Sequence, residues 1–183
     1  MSEEMIVRYC SPTLAALKSG SLFSCRYTEL LVLYRSIERI KKELAVKGIC
    51  ITVLSLRASR ALIYVYRPSQ LGVDLSQRDA RLLLREKMYV SDSIDGLVSE
   101  LRVRLNVCSP FPHEIGLFLG YPCEDVRGFI ENRASGYRTV GAWKVYGDAQ
   151  EAEKRFYKYK KCTEIYLSWL KMGGEFAKLA VAE

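Results

Sequence analysis

Ile49-Cys50-Ile51-Thr52-Val53-Leu54-Ser55-Leu56 and Ala61-Leu62-Ile63-Tyr64-Val65-Tyr66-Arg67 are separated only by Arg57-Ala58-Ser59-Arg60. Both runs are rich in β-branched and aromatic residues, which suit a pleated, half-buried surface. With so short a connection they read as an antiparallel hairpin. The first run is apolar on both faces, which predicts a central strand and makes Cys50 a core residue.

Upstream, Leu30, Leu33, Tyr34, Ile37, Ile40 and Leu44 recur at helical spacing, with Arg35, Glu38, Arg39, Lys42 and Glu43 mostly opposite. This predicts an amphipathic helix over about residues 27–47, ended by Gly48. Before it, Ser11-Pro12 has the form of a cap followed by a first-turn proline, opening a short helix that stops by Gly20. A loop carrying Cys25 is expected between the two.

Downstream, Ser76-Gln77-Arg78-Asp79 resembles a capping box for a helix through Lys87, with Leu82, Leu83 and Met88 inward. Asp92 is expected to cap the next helix, whose stripe is Ile94, Leu97, Val98, Leu101 and Leu105. Residues 137–146 read as a third strand. Residues 149–171 read as a long helix burying Ala152, Phe156, Tyr159, Thr163, Tyr166 and Leu170, broken by Gly173-Gly174. Helices, hairpin, helices, single strand and helix in that order predict an α+β fold. The expectation is a small antiparallel sheet of about three strands with six to seven helices. Residues 1–183 are expected to form a single domain, fraying at 1–10 and 173–183.

Hydrophobic residues make up 49% of the 183 and charged residues 27%, a globular composition with enough chain for a core. No apolar run reaches the ~20 residues that span a bilayer. The start, Met1-Ser2-Glu3-Glu4-Met5, is acidic where a signal peptide is basic, so a cytoplasmic location is expected. Cys10, Cys25, Cys50, Cys108, Cys123 and Cys162 are scattered, without zinc-ligand or disulfide spacing. The net charge of +7 admits acidic partners but does not select one.

The chemistry-bearing stretch is Pro110-Phe111-Pro112-His113-Glu114-Ile115-Gly116-Leu117-Phe118-Leu119-Gly120-Tyr121-Pro122-Cys123-Glu124-Asp125-Val126. It holds three of the five prolines and the only histidine. Pro112 is placed to open a short helix with His113 and Glu114 in its first turn, and Gly120 to close it. Tyr121-Pro122 then restarts a second helix with Val126, Phe129 and Ile130 inward, giving a tight helical hairpin. His113 and Glu114 could serve acid–base chemistry or hold a ligand, or simply cap the helix. Gly116 and Gly120 could admit a ligand close to the backbone, or let two helices touch. Leu117 stands where a zinc protease would need its second histidine, and phosphate loops, dinucleotide fingerprints and nucleophile elbows are absent from the sequence.

Pro112 to Pro122, with Glu124-Asp125-Val126 and Phe129-Ile130, resembles the signature of a family of uncharacterised bacterial proteins. That family is a domain of unknown function found mainly in anaerobic Firmicutes. Tyr64-Val65-Tyr66-Arg67, Trp143-Lys144-Val145-Tyr146, Phe156 and Tyr159-Lys160-Lys161-Cys162 resemble its other blocks. The resemblance implies an intact bacterial cytoplasmic domain and carries no activity with it.

Three functions follow as expectations. The first is binding of a small anionic or aromatic ligand or cofactor of unknown identity, at His113, Glu114, Gly116, Gly120, Tyr121, Trp143, Lys144 and Tyr146. Twelve tyrosines and two tryptophans supply polar-tipped walls for such a pocket. The second is an enzyme using His113 and Glu114, or Cys123 as a nucleophile at a helix start. The third is nucleic-acid binding through Lys154, Arg155, Lys158, Lys160 and Lys161, interleaved with Phe156, Tyr157 and Tyr159.

Overall fold

The computed structural model describes residues 1–107 and 109–182, so Cys108 lies outside the described residues. The chain divides into two compact units, Met1–Gln70 with Tyr159–Glu183, and Leu71–Lys158. The fold class is α+β, with a three-stranded antiparallel sheet and a separate two-stranded ribbon.

In the first unit, helix α1 (Glu3–Leu14) is followed by strand β1 (Gly20–Arg26), helix α2 (Leu30–Ala45) and the hairpin β2 (Cys50–Arg57) and β3 (Arg60–Tyr66). The hairpin turns on Ala58 and Ser59, both at positive φ (46° and 58°). That is the primed geometry matching the twist of paired strands, here formed without glycine. The strand order is β1-β3-β2, so β3 is central and β2 is not. Ala61, Ile63, Tyr64, Val65 and Tyr66 of β3 are buried on both faces, whereas Cys50, expected in the core, is half-buried.

β1 replaces the expected loop. It pairs along its whole length with β3, from Gly20 opposite Tyr66 to Arg26 opposite Arg60. Phe23 and Cys25 face the core while Ser24 and Arg26 face outward. Glycine and serine thinned the propensity signal, but pairing and same-face burial decide strand formation.

α1 also begins earlier than expected. Ser2 is its cap, accepting from the Met5 backbone N–H, and Pro12 lies in its last turn rather than its first. Ile6, Val7, Cys10 and Leu14 are fully buried, so residues 1–10 are packed rather than frayed. The C-terminal end is packed too: a 3-10 turn, Phe176–Leu179, buries Phe176, Leu179 and Ala180, and Val181 N–H donates to Leu14 O. α2 buries Leu33, Ile37, Ile40 and Leu44 as its periodicity predicts, although Leu30 and Tyr34 stay exposed.

Arg67, just past β3, is 1% exposed. Its guanidinium donates to the carbonyls of Thr13 (2.6 Å), Leu14 (2.7 Å) and Val181 (2.7 Å). One planar group thereby satisfies two carbonyls at the open end of α1 and fixes the tail.

The second unit contains most of α3 (Pro68–Ser76), then α4 (Arg78–Glu86), α5 (Ile94–Val107), α6 (Ile115–Phe118), α7 (Cys123–Glu131), the ribbon β4 (Thr139–Val140) and β5 (Lys144–Val145), and the start of α8 (Ala149–Lys171). α3 was not anticipated, and it dissolves the expected capping box. Ser76 belongs to α3 and donates to Val73 O, so α4 starts after Gln77 without a side-chain cap. α4 buries Ala80, Leu83 and Leu84, leaving Leu82 and Met88 exposed. Ser93, not Asp92, accepts the Gly96 N–H at the start of α5, while Asp92 pairs with Arg81 at 2.9 Å. The expected third strand at 137–146 is the short β4–β5 ribbon, outside the main sheet.

Candidate functional site

α6 and α7 form the expected helical hairpin. Gly120 reverses the chain at φ +68°, in the left-handed region that glycine enters without steric cost. A Cβ on Gly116 would lie 2.7 Å from Val126 Cγ2 and 3.3 Å from Tyr121 Cδ2. Gly116 therefore serves contact between the two segments, the packing alternative of the two held open by its sequence. Pro122 is the cap residue of α7 rather than its first helical residue.

The polar centre of this unit is Asp125, 3% exposed in the first turn of α7. Its Oδ2 accepts from the Trp143 indole N–H at 2.6 Å. Its Oδ1 accepts from the backbone N–H groups of Tyr146 (2.7 Å) and Gly147 (2.8 Å). Sequence reasoning placed Asp125 near a helix N-terminus but did not foresee its burial. The missed signal was an acid directly before buried Val126, with a tryptophan downstream needing an acceptor.

Trp143, 7% exposed, stacks on Tyr121 at 4.7 Å between centroids and meets the edge of Phe156 at 4.6 Å. Beside these rings lies a cleft of about 340 Å³. Its walls include His113, Gly116, Tyr121, Phe129, the segment Val140-Gly141-Ala142, Trp143 and Lys144. Of the residues singled out by sequence, His113, Gly116, Tyr121, Trp143 and Lys144 are brought together here.

His113 is exposed, its ring in contact with those of Phe111 (5.5 Å) and Phe129 (4.9 Å). Lys144 Nζ donates to Ala134 O at 2.7 Å and sits 4.6 Å from the Tyr137 ring centroid.

The remaining candidates go elsewhere. Glu114 is buried, accepting from Tyr89 Oη at 3.3 Å and lying 3.9 Å from Arg104. Burial, then the Glu114 charge, pushes the Tyr89 phenol up. Gly120 and Cys123 line a separate hollow with Arg155. Burial pushes the Cys123 thiol up, opposite to the shift a helix-start nucleophile requires. Tyr146 packs its ring over Gly128, where a Cβ would come within 2.4 Å of it, and contributes only its backbone N–H to Asp125. Among the described residues no group of three His, Cys, Asp or Glu is placed to hold a metal ion, and the five described cysteines are free thiols.

A model of a family described as a protein of unknown function, DUF3793, matches residues 6–180. The chain belongs to the DUF3793 family. That span takes in the helical hairpin, the Asp125 clamp and the cleft of this DUF3793 protein, together with the sheet and Arg67. No curated protein and no solved structure matches the chain.

Proposed function

We propose that this protein binds a small flat ligand in the cleft between His113, Tyr121, Phe129 and Trp143. The observation that carries the reading is that these aromatic walls are braced before any ligand arrives. Trp143 is held by Asp125 and by two neighbouring rings, and His113 packs against two phenylalanines. Rigid walls lower the ordering cost of binding, and the volume falls within the range of small-molecule sites. Lys144 adds a cation to the lining, and the Asp125 carboxylate on the same lining is already engaged by three N–H groups, which favours ligands with negative charge.

An enzyme is the second reading, and the geometry favours it less. Glu114 is engaged by Tyr89 and Arg104, and the Cys123 thiol is shifted away from reactivity. Nucleic-acid binding through α8 is third. Lys154 and Arg155 pair with Glu151, Lys161 pairs with Glu164, and Phe156 packs on Trp143, leaving Tyr157 as an exposed ring. Among the described residues no helix is long and apolar enough to cross a membrane. A cytoplasmic location belongs to the same proposal, and the five free thiols suit it.

The test is native mass spectrometry with an absorption spectrum on untagged protein, wild type against His113→Ala. An added mass or chromophore in wild type, reduced in the variant, supports a site at the cleft. A bare wild-type mass, with no small molecule from an aromatic library shifting Trp143 emission, overturns it.

A further inference from the structure

His113 and Phe129 line more than one cleft. They also border a larger cleft, about 720 Å³, whose walls include Lys87, Arg104, Arg133 and Glu114. Both clefts are thus built on the same two rings. Their chemistry differs: the first is lined mostly by aromatic and aliphatic side chains with one carboxylate, Asp125, and one cation, Lys144, while the second gathers three cations around one carboxylate.

The three cations are held differently. Arg104 is fixed from several directions: it donates to Lys87 O, its guanidinium lies 4.4 Å over the Tyr89 ring, and Glu114 is 3.9 Å away. Its side chain is 22% exposed, so part of the fork remains open to the cleft. Lys87 and Arg133 form no ion pair among the described residues. Glu114 offsets one charge, which leaves two positive charges in excess on the lining. A phosphate monoester carries about −1.5 to −2 at neutral pH, so its charge matches that excess better than a single carboxylate does.

We propose that this second cleft receives the phosphate of an aromatic phosphomonoester, of the nucleoside monophosphate kind, whose ring enters the aromatic cleft across His113 and Phe129. The inference rests on the ring site proposed above and adds an anion seat to it. Arg104 is the pre-positioned contact, and Lys87 and Arg133 are the cations that close on the phosphate. His113, shared by both walls, is placed to meet the link between ring and phosphate.

The experiment is calorimetric titration of the full chain, at low and at moderate salt. The probes are AMP and UMP, the matching nucleosides, and inorganic phosphate. The proteins are wild type and the double variant Lys87→Gln/Arg133→Gln, with thermal melting to verify that the variant is folded. A nucleotide should bind at least tenfold more tightly than its nucleoside, and added salt should weaken the nucleotide alone. The double variant should abolish that difference while leaving nucleoside affinity unchanged. Equal affinity for nucleotide and nucleoside, or a tenfold difference that survives in the variant, overturns the phosphate seat and leaves the ring site standing. Phosphate and nucleotide binding equally, with no nucleoside binding, overturns the ring site and so the aromatic ester. Failure of every probe at millimolar concentration overturns the proposal in full.

Discussion

Each unit is tied by a buried charge, and the two ties have opposite polarity. In the first unit Arg67 gathers three backbone carbonyls, from Thr13, Leu14 and Val181. In the second Asp125 gathers three N–H groups, from Trp143, Tyr146 and Gly147. Both charges are met by oriented dipoles, carbonyls around Arg67 and N–H groups around Asp125. Arg67 closes the end of a helix and a chain tail. Asp125 instead orients an indole that forms a cleft wall. The same device is structural in one unit and sets up a candidate site in the other.

The comparison can be broken most severely at Arg67. Arg67→Ala removes three charge-assisted hydrogen bonds and leaves a cavity, and a loss of about 5 kcal/mol in urea unfolding is expected. Arg67→Lys should recover little of it, because an ammonium lacks the planar fork. Recovery of most of the stability by lysine would show that charge, not geometry, makes the tie.

Asp125→Asn comes next, at about 3 kcal/mol, since the amide offers one acceptor oxygen to three donors and turns an NH₂ toward the others. Unlike Arg67→Ala, it should also shift Trp143 emission and weaken ligand binding. Unchanged emission would separate the clamp from the cleft. Gly116→Ala forces a methyl to within 2.7 Å of Val126, and a destabilisation of about 2 kcal/mol is expected by thermal melting.

The smallest effect sits back in the first unit. Burial lowers the Lys18 ammonium from 10.5 to about 8, with the nearby Cys10 opposing the shift. A base whose folded pKa is depressed binds fewer protons folded than unfolded, so the penalty is full below pH 8 and fades as pH rises toward 10.5. Lys18→Met should therefore stabilise by about 1 kcal/mol at pH 7, with the gain shrinking above pH 8. A gain independent of pH between 7 and 10 would assign it to packing instead.

The legible parts of the sequence were those with one dominant period. The span of α8 was anticipated at 149–171, and the buried positions of α2 and α5 follow their apolar spacing. The hairpin was legible for the same reason. Which of its strands lies in the middle was not, because that depends on β1, whose glycine and serines carry little signal until β3 is beside them. α1 was misjudged because Ser11-Pro12 has the chemistry of a helix start, and only burial of Ile6, Val7 and Cys10 shows the helix already under way. In the candidate site, five flagged residues meet in one cleft, since helix pairing through Gly116 and Gly120 follows from local chemistry. Glu114 was paired with His113 by adjacency alone. Its actual partners, Tyr89 and Arg104, lie 25 and 10 residues upstream, and no local pattern encodes them.

The chain holds two tryptophans, and the fold has put one in each unit. Trp143 is 7% exposed beside a carboxylate and the cleft, and Trp169 is 39% exposed, donating to Glu175 O. The two should emit at different wavelengths, the buried one to the blue. Each unit therefore carries its own lamp. Replacing either tryptophan by phenylalanine leaves a single-colour reporter, so one fluorescence melt per variant tells whether the units unfold together or in turn.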